Sequence, residues 1–271
     1  MLVTEDMLSR VAATLGVAPE IVRERNFYRA GSSQQETPYG QIVDDNRVPK
    51  MWTKLKGTAR FDERRQEIDA FNAQSTWVKR GLAMTPVKFG ISFTASFLNQ
   101  AGALVVMYRD GSVQVNHGGT EMGQGLHSKM LGVVMRELGV TADRVRAMKT
   151  QTDKVPNTSA TAASSGADLN GAAVKRACDE LRERLQPVAA ALLEKRIGGA
   201  VNPGDVAFLN GYAMTTTSAG IAVSIADVCE AAYQRQVPLS ATGFYRTPDI
   251  GYDRKAGRGK PFHYFAYGVA I

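Results

Sequence analysis

AGALVVMYRDGSVQVNHGGTEMGQGLHSKMLGVVMREL, residues 101–138, decides how this chain folds. Two runs rich in β-branched residues flank Asp110-Gly111, a dipeptide suited to a tight turn between antiparallel strands. Behind the second run, Gly118, Gly119, Gly123 and Gly125 separate strand from helix. The helix is expected from about Gln124, with Leu126, Met130, Val133, Val134 and Leu138 on one face. Strand, strand, glycine loop and helix in immediate succession point to an α+β class, with mixed sheets and interleaved helices.

Working toward the N-terminus, Thr4 can cap a first helix whose stripe is Leu8, Val11, Ala12 and Leu15, closed by Gly16. Pro19 opens a second helix carrying Ile21 and Val22. Residues 30–48 read as polar and irregular, and a third helix is expected over Thr58–Ala73 with Phe61, Ile68 and Phe71 on one side. From Lys88 the pattern turns β-prone, through ISFTASFLNQ. Toward the C-terminus, Arg144–Thr150 reads as a strand and Asp168–Leu193 as a long helix. A small hairpin turning at Asn210-Gly211 comes next, then a helix capped by Ser224 and Asp227, then a final strand in PFHYFAYGVAI.

The chain has 271 residues, 44% hydrophobic and 22% charged, as expected of a globular protein with a real core. A net charge of +7 raises nucleic acid as a partner, but the basic residues alternate with acids, as over Arg60–Glu67 and Arg176–Arg184. No nucleic-acid or membrane partner is expected, and the acidic start of MLVTEDMLSR points to a cytoplasmic chain. Cys178 and Cys229 sit in apolar helical patterns and read as small core residues. His117, His127 and His263 lack the spacing of metal ligands.

Three segments could carry chemistry. HGGTEMGQGLHSKM, residues 117–130, could bring backbone N–H groups to an anion at a helix N-terminus, or could be a tight structural turn. It is neither a Walker loop nor a dinucleotide fingerprint. VPNTSATAASSGA, residues 155–167, offers small residues for close ligand approach, or a polar capping loop. In KFGISFT, residues 88–94, Phe93 could stack on a flat ring and Thr94 could hydrogen-bond it, or Phe93 could simply be core.

Together with GLAMTPVKFGISFT, FLNQAGALV, DGSV, VPNTSATAAS, TGFYRTPDIGY and FHYFAYGVA, in that order and spacing, these segments resemble the molybdopterin subunit of xanthine dehydrogenases. The resemblance runs from about Met7 to the end and is weakest over 197–223. It implies a molybdenum ion held by its pterin dithiolene without protein ligands, and hydroxylation of purines, hypoxanthine and xanthine to urate. Phe93 would pack on the purine and Thr94 would hydrogen-bond it. Gly123 and Gln124 would hold the pterin, and Ala162 and Ala163 would line the molybdenum pocket at backbone level. Iron–sulfur clusters and FAD would lie on a partner subunit or other domains. On the same resemblance, residues 1–84 are the helical N-terminal part with an irregular linker. Residues 85–271 are then the α/β region, truncated at its C-terminus. The family's general-base glutamate would fall beyond Ile271, so no catalytic residue is assigned within the chain, and the remaining segments of the subunit are expected as partners. The alternative is a non-catalytic remnant that binds the cofactor partially or not at all.

Overall fold

A computed structural model describes residues 1–29, 31, 35–153, 157–215 and 220–271. The helices are α1 (Leu2–Leu15), α2 (Pro19–Arg25), α3 (Val48–Thr58), α4 (Phe61–Gln74), α5 (Leu126–Leu138), α6 (Gly166–Ile197) and α7 (Ile225–Gln234). The strands begin with β1 (Thr85–Ile91), β2 (Gln100–Met107), β3 (Val113–His117) and β4 (Val145–Ala147). They continue with β5 (Val206–Leu209), β6 (Tyr212–Thr215), β7 (Ala222–Ser224), β8 (Ser240–Arg246), β9 (Gly251–Asp253), β10 (Arg258–Lys260) and β11 (Tyr264–Ala270). The chain divides into two compact units, residues 1–94 with 249–271, and residues 95–248. β11 returns to pair along the whole of β1, from Thr85 opposite Ala270 to Ile91 opposite Tyr264, which keeps both strands in the first of these units.

The continuous unit is built on the quoted stretch. β2 and β3 pair antiparallel, and the Asp110 carboxylate accepts hydrogen bonds from both the Ser112 N–H (3.0 Å) and its hydroxyl (2.7 Å) to hold the turn. β4 joins parallel to β3 and β8 antiparallel to β2, giving the order β4-β3-β2-β8. Alternate residues Ala101, Ala103, Val105 and Met107 of β2 enter a core with Leu126, Met130, Val134 and Leu138 of α5, as a period of two against a period of 3.6 requires. α6 contributes Leu169, Val174, Leu181 and Leu185 to the same core. A side chain at Gly243 would overlap the backbone of Ala173 and Ala177, so this glycine is what lets α6 lie directly on β8. β5, β6 and β7 form a second antiparallel sheet. Asn210 and Gly211 both take positive φ (50° and 85°), as a two-residue hairpin turn demands, and the Ser224 hydroxyl caps α7 by accepting from the Asp227 N–H at 3.0 Å. Cys178 and Cys229 are fully buried here, and burial pushes both thiols up to about 12.

In the discontinuous unit, α1 starts at Leu2, so Thr4 lies inside the helix rather than capping it. Gly16 closes it at φ 65° as expected. The helix expected over Thr58–Ala73 is α4, which begins at Phe61. α3, over Val48–Thr58, precedes it and was not expected; it meets the stretch read as irregular only at Val48. α3 is rich in lysine and buries just Val48 and Trp52, so its apolar stripe is too thin to read as a helix. ISFTASFLNQ is not a continuous strand: β1 stops at Ile91, buried Ser92 takes φ 137°, and residues 96–98 form a 3₁₀ turn. Several basic residues of the two stretches are paired with acids, Arg60 with Glu63, Lys175 with Asp179 and Arg182 with Glu137.

Candidate functional site

Within the continuous unit, β3 ends at His117 and α5 begins at Leu126, and the glycine loop between them lies beside the loop that leads into α6. The two are tied by the Thr120 N–H, which donates to the Thr161 hydroxyl at 2.8 Å. The four glycines have two different jobs. A side chain at Gly118 would overlap Thr158, and one at Gly119 would overlap Leu126 and crowd Asn170, so these two are glycine because neighbouring protein fills the space. Gly123 and Gly125, at φ 95° and 72°, have nothing within 4 Å of a would-be Cβ. They are glycine for their backbone conformation, and they face open space.

Donors at the start of α5 are gathered by Glu121. Its carboxylate accepts from the N–H groups of Gly123 (2.9 Å), Gly125 (2.9 Å) and His127 (3.1 Å). The His127 N–H first, with those of Gly125 and Gly123, holds its pKa below the usual carboxylate range. Gln124 closes the same loop: its Oε1 accepts the Met122 N–H (2.6 Å) and its Nε2 donates to the Thr120 carbonyl (2.9 Å). A primary amide has two N–H groups and two lone pairs on oxygen, so exposed Gln124 keeps donor capacity beyond these bonds.

Under the loop lies a histidine pair that the sequence reading did not connect. His117 is 1% exposed. Its Nδ1 accepts the Gly119 N–H at 3.2 Å, and its Nε2 is 3.0 Å from Nδ1 of His127. Burial first, and then the neighbouring imidazole, lowers the His117 pKa to about 4, against an opposing pull from Glu121. The signal for the pair was a histidine closing a strand and another opening a helix, ten residues apart across a glycine loop. Two further buried side chains, Asn116 with both amide atoms and Asn170 with its Oδ1, have no hydrogen-bond partner among the described residues.

Ala162 is exposed, and Ala163 and Ser164 both sit in the left-handed region, at φ 53° and 55°. Two consecutive non-glycine residues there store backbone strain, a feature that gathers at ligand-holding segments. The loops bearing Gly123 and Gln124 and bearing Ala162 and Ala163 are thus joined in one place. Phe93 and Thr94 belong to the other unit. They follow the Ser92 bend at the end of β1, where Phe93 is half-buried and Thr94 exposed. Among the described residues, no group of three or more His, Cys, Asp or Glu could hold a metal ion, and no helix is long and apolar enough to cross a membrane.

The architecture is that of a mixed α and β domain presenting two strained or glycine-bearing loops at the starts of two packed helices. The model of the molybdopterin cofactor-binding domain family matches residues 54–271, and the chain belongs to that family. It is 44% identical over its whole length to the xanthine dehydrogenase/oxidase of Felis catus and 41% identical to the xanthine dehydrogenase of Oryza sativa subsp. japonica. The chain spans about 18% of the length of these curated relatives. Among solved structures, 98% of it superposes on 33% of a chain of quinoline 2-oxidoreductase from Pseudomonas putida 86, with a TM-score of 0.74 and 22% identity. It superposes equally on 33% of a chain of CO dehydrogenase from Oligotropha carboxidovorans, with a TM-score of 0.76 and 20% identity. These last likenesses concern the fold.

Proposed function

We propose that this chain supplies part of the cofactor-holding and substrate-facing surface of a molybdenum hydroxylase that oxidises purines, acting in the cytoplasm in purine breakdown. The observation that carries the reading is the glycine loop, on a chain 44% identical throughout to a xanthine dehydrogenase/oxidase. The residues fit a pterin. Gly123 and Gly125 leave room over the loop backbone, and Gln124 retains an amide donor for a ring heteroatom or an anionic group. When bound, the molybdenum-pterin supplies the oxygen transfer and accepts the electrons.

This chain's own groups bind and orient. Gln124 would hold the pterin beside Gly123, and the backbone at exposed Ala162 and half-buried Ala163 would approach the metal side. Phe93 would pack on the face of the purine. The Thr94 hydroxyl would donate to a purine oxygen or nitrogen, where a hydrogen bond that strengthens as charge develops favours the reaction. Iron–sulfur and FAD centres on a partner subunit or other segments would carry the electrons away. By itself the chain, which spans about 18% of the length of those relatives, is expected to hold far less than one molybdenum per chain.

The test is to co-produce the chain with the complementary segments of one of these relatives. Molybdopterin is then measured by pterin fluorescence after oxidation, and urate formation from xanthine is followed. The expected result is a pterin-loaded complex whose Thr94→Val form keeps its pterin but turns over more slowly. A soluble complex devoid of pterin would overturn the reading.

A further inference from the structure

We propose that His117 and His127 are a positioning pair that staples the two ends of the glycine loop and so holds Gln124 in its ligand-facing place; the inference rests on the cofactor reading above. His117 is the last residue of β3 and His127 lies in the first turn of α5, so the bond between them closes the loop at its base. The order of the protons follows from the partners. Because His117 Nδ1 accepts the Gly119 N–H, its own proton sits on Nε2 and is donated to His127 Nδ1, which places the His127 proton on Nε2. The carbonyl of Gly119 is taken by the Thr150 hydroxyl at 2.9 Å, so both backbone groups of that residue are fixed. The His127 N–H meanwhile goes to Glu121, whose other bonds reach Gly123 and Gly125 on either side of Gln124. One chain of bonds therefore runs from the sheet, through both imidazoles and Glu121, to the residues flanking Gln124.

The pair works only without an added proton. A second proton on His117 would face the Gly119 N–H, and one on His127 Nδ1 would face the His117 Nε2–H; either breaks the chain. The charged group facing the pair from the loop is Glu121, and His127 faces His117 from α5. Thr150 and, beneath Gly119, Asn170 of α6 approach the same spot as uncharged groups.

Two variants of His127 separate this role from simple packing. His127→Leu removes the acceptor and leaves a buried N–H on His117 unpaired, whereas His127→Asn places a carbonyl oxygen where Nδ1 stood. Hydrogen exchange read by mass spectrometry over residues 118–127 of the full chain should become roughly five- to tenfold faster in His127→Leu, the scale of one lost hydrogen bond, and return toward the parent rate in His127→Asn. Equal exchange in all three proteins overturns the proposal. If His127→Leu fails to fold, the parent decides by nitrogen-15 NMR of its labelled histidines, with His263 as internal reference. A His117 proton on Nε2 that persists below pH 6 supports the pair, and a proton on Nδ1 overturns it. In the complex with the relative's segments, pterin content should fall in His127→Leu and recover in His127→Asn. Faster exchange with unchanged pterin content would overturn the link to the cofactor. A parent complex without pterin would instead sink the functional reading, leaving the exchange and NMR results to judge the positioning.

Discussion

Gln124 spends its amide on its own loop before it meets any ligand. Gln124→Ala therefore removes the bonds to Met122 and Thr120 as well as a ligand donor. At about 0.5–1.5 kcal/mol for each exposed bond, the loop should loosen while global unfolding barely moves. The expected outcome is faster exchange over residues 120–125, an unchanged melting temperature, and reduced pterin content in the assembled protein. Unaltered exchange would mean that the Gln124 side-chain bonds do not hold the loop. His117 gives a pH dependence of definite sign. Its folded-state pKa of about 4 lies below its ordinary 6.5, so between those values the unfolded chain binds a proton that the folded chain refuses. The contribution is fully present above about 6.5 and is lost as pH falls toward about 4. Urea midpoints at pH 7 and pH 5.5, above the range of ordinary carboxylates, should decline in the parent and decline less in His117→Asn. The glycine spacing was visible in the sequence. The His117–His127 bond and the Glu121 cap were not, because strand and helix ends meet only once the sheet has placed them.

At the level of elements, the glycines separate by what surrounds them. Gly243 lies in β8 with the α6 backbone against it, and backbone cannot yield as a side chain can. Gly243→Ala should cost about 1–3 kcal/mol by overpacking, seen as a lowered urea midpoint, and an unchanged midpoint would show that α6 can slide away. Elements with dense period were legible: the β2–β3 hairpin, α5, α6, the Asn210-Gly211 turn and the Ser224 cap all stand where patterning put them. What escaped was α3, anchored by two buried residues among lysines, and β8, where small and aromatic residues hide the alternation. The bend at Ser92 also escaped, because nothing in ISFTASF marks a reversal of φ at a serine. Phe93 and Thr94, the proposed substrate contacts, directly follow that bend.

For the whole molecule, the outward apolar surface is concentrated in the discontinuous unit. On α1, Leu2 is 86% exposed and Leu15 62%, with Met7 and Val11 between them, and Trp77 is 94% exposed. β11 pairs with β1 in a two-stranded sheet, and its other edge has no partner strand among the described residues. Exposed side chains of this kind and a bare strand edge favour association. Light scattering on the purified chain should show self-association that rises with concentration and weakens in a Met7→Lys, Val11→Glu double variant. A monodisperse monomer at high concentration would refute this.

The pairing of β1 with β11 also sets a timetable for synthesis. Residues 95–248, which lie between the two strands, form a unit with its own core and its own sheets. At about 5–20 residues per second, β1 leaves the ribosome on the order of ten seconds or more before its partner strand exists. The inserted unit can complete itself during that interval, while β1 waits without its partner strand and the cluster around Trp52, Phe61 and Met84 lacks Val269. Chaperone demand should therefore fall on residues 1–94 as they are synthesised.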